Sequence, residues 1–251
     1  VRNLSAALLF LFAVATARAE WRVLAASNEP ASVAGLGYRH VDLAESETGE
    51  HAIVDLALFS TKSCKLRVID NAGQAPLADV MRGTDCLAGV NGGYFDPNFE
   101  PLGLRIVDGE TTSRLTHGRL LSGIVASDNV TQIFRVAEFS SRRKWTAAVA
   151  CGPFLVDLAR PVRGLEATKS ARRTFAAVGS NDRAALGYCS EATLAELAGI
   201  LTARLGDFKI QRALNLDGGS SSAFWFKRAG GGVVYHPEQK TVRDFVGVVA
   251  K

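Results

Sequence analysis

Short apolar runs rich in β-branched residues, separated by turn signals, recur along most of the chain. His51–Phe59 (HAIVDLALF) and Cys64–Asp70 (CKLRVID) are two such runs and predict strands. Leu77–Gly83 predicts a short helix leading into CLAGVNGGYF, and Leu102–Glu110 a strand closing on an Asp108-Gly109 turn. Ser122–Ser127 and Thr131–Ala137 flank Asp128-Asn129 as a hairpin. Arg172–Cys189 reads as two strands around Ser180-Asn181-Asp182. One helix stands out. Thr193 and Glu196 form a capping box, and Leu194, Leu197, Ala198, Leu201 and Leu205 share one face, with Gly206 as the stop. The expected class is α+β: a single strand-rich domain with mixed or antiparallel sheets and few helices.

The first residues follow a different pattern. Arg2 precedes an apolar stretch from Leu4 to Ala15, and Ala17-Arg18-Ala19 fits a small-residue cleavage site. The stretch falls short of the ~20 residues that span a membrane. Residues 1–19 are therefore expected to be a signal peptide, with an uncleaved anchor as the alternative, and 20–251 a single domain that is exported to a periplasm or beyond. Removing the segment takes two arginines with it and lowers the formal charge from +4 to +2, too little to argue for a nucleic-acid partner.

Export changes the reading of the four cysteines. Cys64, Cys86, Cys151 and Cys189 include no C-x-x-C pair, so a zinc site is not indicated. An even number in an exported chain favours two disulfides. Of the three connectivities, the sequential one, Cys64–Cys86 with Cys151–Cys189, is preferred.

Candidate chemistry concentrates in NLDGGSSS, Asn215–Ser222. Strand alternation sends Leu214 and Leu216 one way and Asn215 and Asp217 the other, so an amide and a carboxylate meet at a strand end. Gly218-Gly219 would let a ligand approach the backbone. A hairpin turn with Asp217 bonded to its own backbone accounts for the stretch equally well. VNGGYFD (Val90–Asp96) has the same plan. Arg172, Arg173 and Thr174 open a strand, as solvated arginines or as a clamp for phosphate or carboxylate. The motifs G-x-S-x-G, H-E-x-x-H, the P-loop, the EF-hand and the dinucleotide fingerprint are absent. His40, His51, His117 and His236 are scattered, and His117 reads as a solvated loop residue.

The ordered set NGGYF (91–95), GPFLV (152–156), RRTFAAVG (172–179), TLAELAGIL (193–201) and LNLDGGSSS (214–222) resembles the phosphodiester glycosidase domain family over roughly residues 50 to 250. A lysosomal member removes N-acetylglucosamine from mannose-6-phosphate diesters. Exported bacterial members are common, some loosely labelled for exopolysaccharide biosynthesis. Asn91, Gly92, Gly93, Arg173, Thr174, Asn215, Asp217, Gly218, Gly219 and Ser221 match its motifs; Ser220 stands where members often have another small residue.

The resemblance implies hydrolysis of a sugar-1-phosphodiester to sugar and phosphomonoester. Catalytic roles are expected for Asp217 (nucleophile, base or stabiliser of an oxocarbenium-like state), Arg173 (bidentate on phosphate) and Asn91. Asn91 and Asn215 would fix sugar hydroxyls, and Tyr94 would offer its ring or hydroxyl. Gly92, Gly93, Thr174, Gly218, Gly219, Ser220 and Ser221 complete the expected substrate contacts. No cofactor is implied; a divalent metal bridging Asp217 and phosphate lacks a ligand cluster. The partner is a sugar phosphate or envelope glycan. The rivals are a non-catalytic domain that binds glycan or protein, and a disulfide-stabilised structural domain in which both Gly-Gly stretches are only turns.

Overall fold

The computed structural model describes residues 20–116, 118–203 and 205–251. The signal-peptide assignment and His117 lie outside them. The chain runs β1 (Trp21–Pro30), β2 (Leu36–Glu45), β3 (His51–Ser60), β4 (Cys64–Asp70), α1 (Leu77–Arg82), β5 (Ala88–Asn91), β6 (Arg105–Val107) and β7 (Glu110–Ser113). It continues through β8 (Gly123–Ser127), β9 (Thr131–Arg135), β10 (Ala147–Cys151), β11 (Phe154–Asp157), β12 (Arg160–Pro161), β13 (Ala171–Gly179) and β14 (Arg183–Ala192). It ends with α2 (Leu194–Thr202), β15 (Ile210–Asn215), β16 (Phe224–Lys227), β17 (Val233–His236) and β18 (Asp244–Ala250).

The first sheet has eight strands, β1-β2-β3-β14-β13-β15-β11-β12; the second is β17-β16-β5-β18-β4 and the third β7-β6-β10-β8-β9. The pairings are antiparallel throughout. One face of the first sheet (Phe59, Leu186, Leu214, Leu216) packs on both smaller sheets through Val90, Val125, Val149, Phe224 and Val246. Its other face (Leu56, Phe175, Ala213) is covered by Leu197, Ala198 and Leu201 of α2. Burial on both faces is why β3 reads as an almost unbroken apolar run. Helix α1 covers the back of the second sheet with Leu77, Ala78 and Met81, and Trp145 lies in the outer layer of the third.

The fold is therefore mostly β rather than α+β, with two short α-helices as covers. The expected β13–β14 hairpin forms, and Asn181 and Asp182 both take positive φ at its tip (60° and 57°), as a tight hairpin turn demands. The strand expected over Leu102–Glu110 is shorter, since β6 spans only Arg105–Val107 before its turn. The capping box is present, with Glu196 N–H on Thr193 Oγ1 at 3.1 Å and Thr193 N–H on Glu196 Oε2 at 2.7 Å. The helix stops at Thr202, ahead of Gly206. NLDGGSSS is not a hairpin. β15 lies in the first sheet and β16 in the second, so the stretch carries the chain between sheets.

The disulfide expectation is corrected. All four cysteines are buried free thiols. Cys64 and Cys86 sit in separate apolar layers, the first between the sheets and the second under α1. Cys151 and Cys189 line opposite faces of the first sheet. Reductant is accordingly expected to leave the thermal midpoint unchanged, and a thiol reagent to find four thiols after unfolding in denaturant without reductant. A lower count would reveal a bridge.

Candidate active site

Four segments converge at one end of the sheets: the ends of β5 and β15, the opening of β13 and the first residue of β18. Asn91 closes β5 and is wholly buried. Its Nδ2 donates to the Asp217 carbonyl at 2.5 Å, and its Oδ1 accepts from the Ala223 N–H at 3.1 Å. The buried Thr174 hydroxyl lies 2.8 Å from Asn91 Oδ1 and 3.0 Å from the Asp217 carbonyl, one proton serving both. The Asp217 N–H donates to Gly92 O at 3.0 Å. Asp217 is thus fixed through its own peptide groups, and its carboxylate is free of that task.

Gly92 has a steric reason. Its N–H donates to Asp244 O at 2.9 Å, the Gly93 N–H donates to Asp244 Oδ1 at 2.8 Å, and a Cβ on Gly92 would lie 1.9 Å from that oxygen. Asp244 is buried, and burial pushes its pKa up to about 6 against the Gly93 N–H and the charges of Arg105 and Arg243. Arg105 Nη1 is 3.6 Å from Asp244 Oδ2 and 2.7 Å from Asp70, which also pairs with Arg243.

The Asp217 carboxyl is only partly exposed, and burial raises its pKa; the Ser221 hydroxyl, Lys240 and the Gly218 N–H pull the other way. Ser221 Oγ is itself buried and makes no hydrogen bond of good geometry, so its effect is one of proximity. The Gln239 and Lys240 N–H groups hold Ser220 O at 2.7 and 3.2 Å, which brings Lys240 to the site. Burial above all, and the Asp217 charge after it, raise the Tyr94 phenol pKa, against the charge of Arg173. Its hydroxyl donates to Gly152 O at 2.5 Å. Asn215 Nδ2 lies 3.0 Å from Gly152 O and 2.6 Å from Leu216 O, while its Oδ1 is buried and unpaired.

Four of the expected site residues have polar groups already engaged within the protein. Asn91 and Thr174 have no group left for substrate; they position Asp217. Asn215 spends its N–H donors on carbonyls, so only Oδ1 remains to contact a ligand. Arg173 cannot offer its Nε/Nη2 edge as a bidentate clamp, because Nε donates to Ala192 O at 2.9 Å and Nη2 to Lys169 O at 2.7 Å. Nη1 remains, 3.4 Å from where a Cβ on Gly218 would sit. A side chain at Gly218 would crowd that nitrogen.

Sequence reasoning missed Asp244 and Lys240. Asp244 had a signal of the same kind as Asp217, an acid at one end of an apolar strand (DFVGVV). Among the described residues no group of three or more His, Cys, Asp or Glu side chains is arranged to hold a metal ion. No helix there is long and apolar enough to cross a membrane.

The family model described as phosphodiester glycosidase matches residues 84–249. No curated protein sequence matches the chain. Among solved structures, the zebrafish N-acetylglucosamine-1-phosphodiester alpha-N-acetylglucosaminidase catalytic domain, auto-inhibited by its pro-peptide, superposes with a TM-score of 0.63 at 14% identity, covering 90% of this chain and 88% of that one. A Burkholderia pseudomallei protein named "Putative exported protein" gives 0.56 at 13% identity, covering 81% and 75%. At these identities the superpositions establish a shared fold.

Proposed function

Because the chain belongs to the phosphodiester glycosidase family, we propose that it is a hydrolase that cleaves the C1–oxygen bond of a sugar-1-phosphodiester, releasing sugar and a phosphomonoester. The observation that supports this reading is Asp217, seated through its backbone by Asn91, Thr174 and Gly92, with Arg173 Nη1 3.4 Å from where a Cβ on the adjoining Gly218 would sit. The leaving group is a phosphate ester that is stable as an anion, so strong acid assistance is unnecessary. What the reaction needs is a base near C1 and positive charge near the phosphate.

In this reading Asp217 takes a proton from water as the water oxygen bonds to C1. The C1–oxygen pair departs with the phosphate. Arg173 Nη1 meets the developing charge through a single contact, and Lys240 adds a second cation nearby. Asn91, Thr174, Gly92 and Asp244 hold the geometry, and Asn215 Oδ1 is placed to accept a sugar hydroxyl. Export belongs to the same proposal, supported by the amino-terminal pattern and the name of the Burkholderia neighbour.

The test is a panel of synthetic sugar-1-phosphodiesters in ¹⁸O-water. Turnover with the label on sugar C1 is expected. Label in the phosphate would make the protein a phosphodiesterase instead. Binding without turnover would make it a recognition domain.

A further inference from the structure

A second polar group is buried where the first sheet faces the second. Strand pairing sets Thr174 opposite Tyr188, Tyr188 opposite Asp55 and Asp55 opposite His40, a row across four strands at the level of the Asp217 site. Asp55 is 1% exposed and lies within an otherwise apolar strand. Its carboxylate accepts from Tyr38 Oη at 2.5 Å and pairs with His40 Nδ1 at 2.8 Å and His236 Nε2 at 2.6 Å. Despite burial, these donors hold its pKa below the usual carboxylate range.

His236 comes from the facing sheet. Its ring lies flat on Tyr188, centroids 4.4 Å apart and planes within 8°, with Phe224 at 6.2 Å. One nitrogen is given to Asp55, and the side chain keeps 34% of its surface exposed. Nδ1 has no partner among the described residues.

Arg172 closes the group. Its Nη1 donates to the carbonyl of Pro237, next to His236, at 2.9 Å. Its Nε and Nη2 are buried and without a hydrogen-bond partner. The Tyr188 hydroxyl is near enough for the guanidinium to pull its pKa down, against the larger rise from burial, yet no bond of good geometry forms. Nε and Nη2 are the two parallel donors of the guanidinium's side edge, the pair that grips an oxyanion bidentately. Charged donors left buried and unpaired are costly and rare, so their presence calls for an acceptor.

We propose that Arg172, Tyr188 and His236 form an oxyanion seat for phosphate, either inorganic phosphate or a phosphate monoester, separate from the Asp217 pocket. The fork takes two oxygens. The phenol and the ring of His236, braced by Asp55, reach a third. Arg173 cannot substitute, its own fork being spent on backbone carbonyls.

The test is calorimetric titration of the whole protein with inorganic phosphate and with glucose 6-phosphate, in the parent and in Arg172→Gln, His236→Gln and Asp217→Asn. Saturable binding is expected in the parent and in Asp217→Asn, weakened at least about tenfold in the other two variants. Tighter binding of the ester names a monoester as the ligand; equal binding names free phosphate. In parallel, the ¹⁵N resonance of His236 Nδ1 in the parent is expected to shift on adding phosphate. That readout stands if a variant fails to fold. Unchanged affinity in folded Arg172→Gln, loss of binding in Asp217→Asn alone, or a silent His236 resonance would each overturn the assignment.

Discussion

Replacing Asp217 by Asn is expected to abolish turnover of a sugar-1-phosphodiester and to leave the fold intact. The two halves of that result have separate causes. The contacts that seat the residue run through its carbonyl, held by Asn91 and Thr174, and its N–H, given to Gly92. None involves the carboxylate, so Asn keeps them all. On the proposed mechanism what is lost is the base, and removal of a positioned general base costs on the order of 10² to 10⁴ in rate.

The pH behaviour adds a second signature. Burial raises the Asp217 pKa, so the parent should lose activity on the acid side at a pH above the ordinary carboxylate range, as the base becomes protonated. A raised carboxyl pKa also means that the folded state favours the protonated form. That group's contribution to stability is present at low pH and is lost as pH rises through the folded value. The neutral amide carries no such penalty, so the melting temperature of Asp217→Asn near neutral pH should match or exceed the parent's. Steady-state kcat/KM with circular-dichroism melting measures both. A folded variant within tenfold of parental turnover would remove Asp217 from the chemistry.

Gly92→Ala is expected to be the most damaging small substitution in the site. The new methyl would sit 1.9 Å from Asp244 Oδ1 and 3.2 Å from the Asp244 carbonyl oxygen. Neither oxygen moves easily. The carboxylate holds the Gly93 N–H and the carbonyl holds that of Gly92. Swinging the carboxylate aside strands a buried donor, while shifting the Gly92 backbone drags the Asp217 N–H bonded to its carbonyl. Overpacking and an unmade buried hydrogen bond together cost about 3 kcal/mol or more. For a domain of this size that lowers the melting temperature by roughly 10 °C. Gly73→Ala is the control, since a Cβ there meets nothing within 4 Å. Equal urea midpoints for the two variants would show that the Asp244 contact is not tight. Residual activity in folded Gly92→Ala should also be low, because Asp217 shifts with it.

Local structure was legible in the sequence wherever a local rule decides it. β4 begins and ends where its apolar run does, Thr193 caps α2 through Glu196, and the residues around Asn181 make the turn expected of them. Long-range choices were not legible. Alternation placed Leu214 and Leu216 in the core, and both are buried, but no local pattern says that the strand after Ser222 joins a different sheet. Cysteine count gave a plausible pairing that the sheet faces forbid. The candidate site divided in the same way. Asn91, Thr174, Arg173 and Asp217 were found because polar residues beside glycines at strand ends are conspicuous. Their division of labour was hidden, since a sequence does not show whether an amide spends its hydrogen bonds on a substrate or on a neighbouring carbonyl. Asp244 escaped for the opposite reason: it touches only backbone and buried arginines, and nothing glycine-rich marks it.

The position of β18 carries one more consequence. It is the last of the described strands, yet it lies inside the second sheet, between β5 and β4, with Asp244 as its first residue. During synthesis, β5 therefore waits for a neighbour more than a hundred residues away. Until that neighbour arrives, Gly92 and Gly93 are ungripped and Asp217 has nothing firm to lean on. On the proposed mechanism, activity would therefore require β18 to be in place, and a chain cut before Asp244 would stay silent.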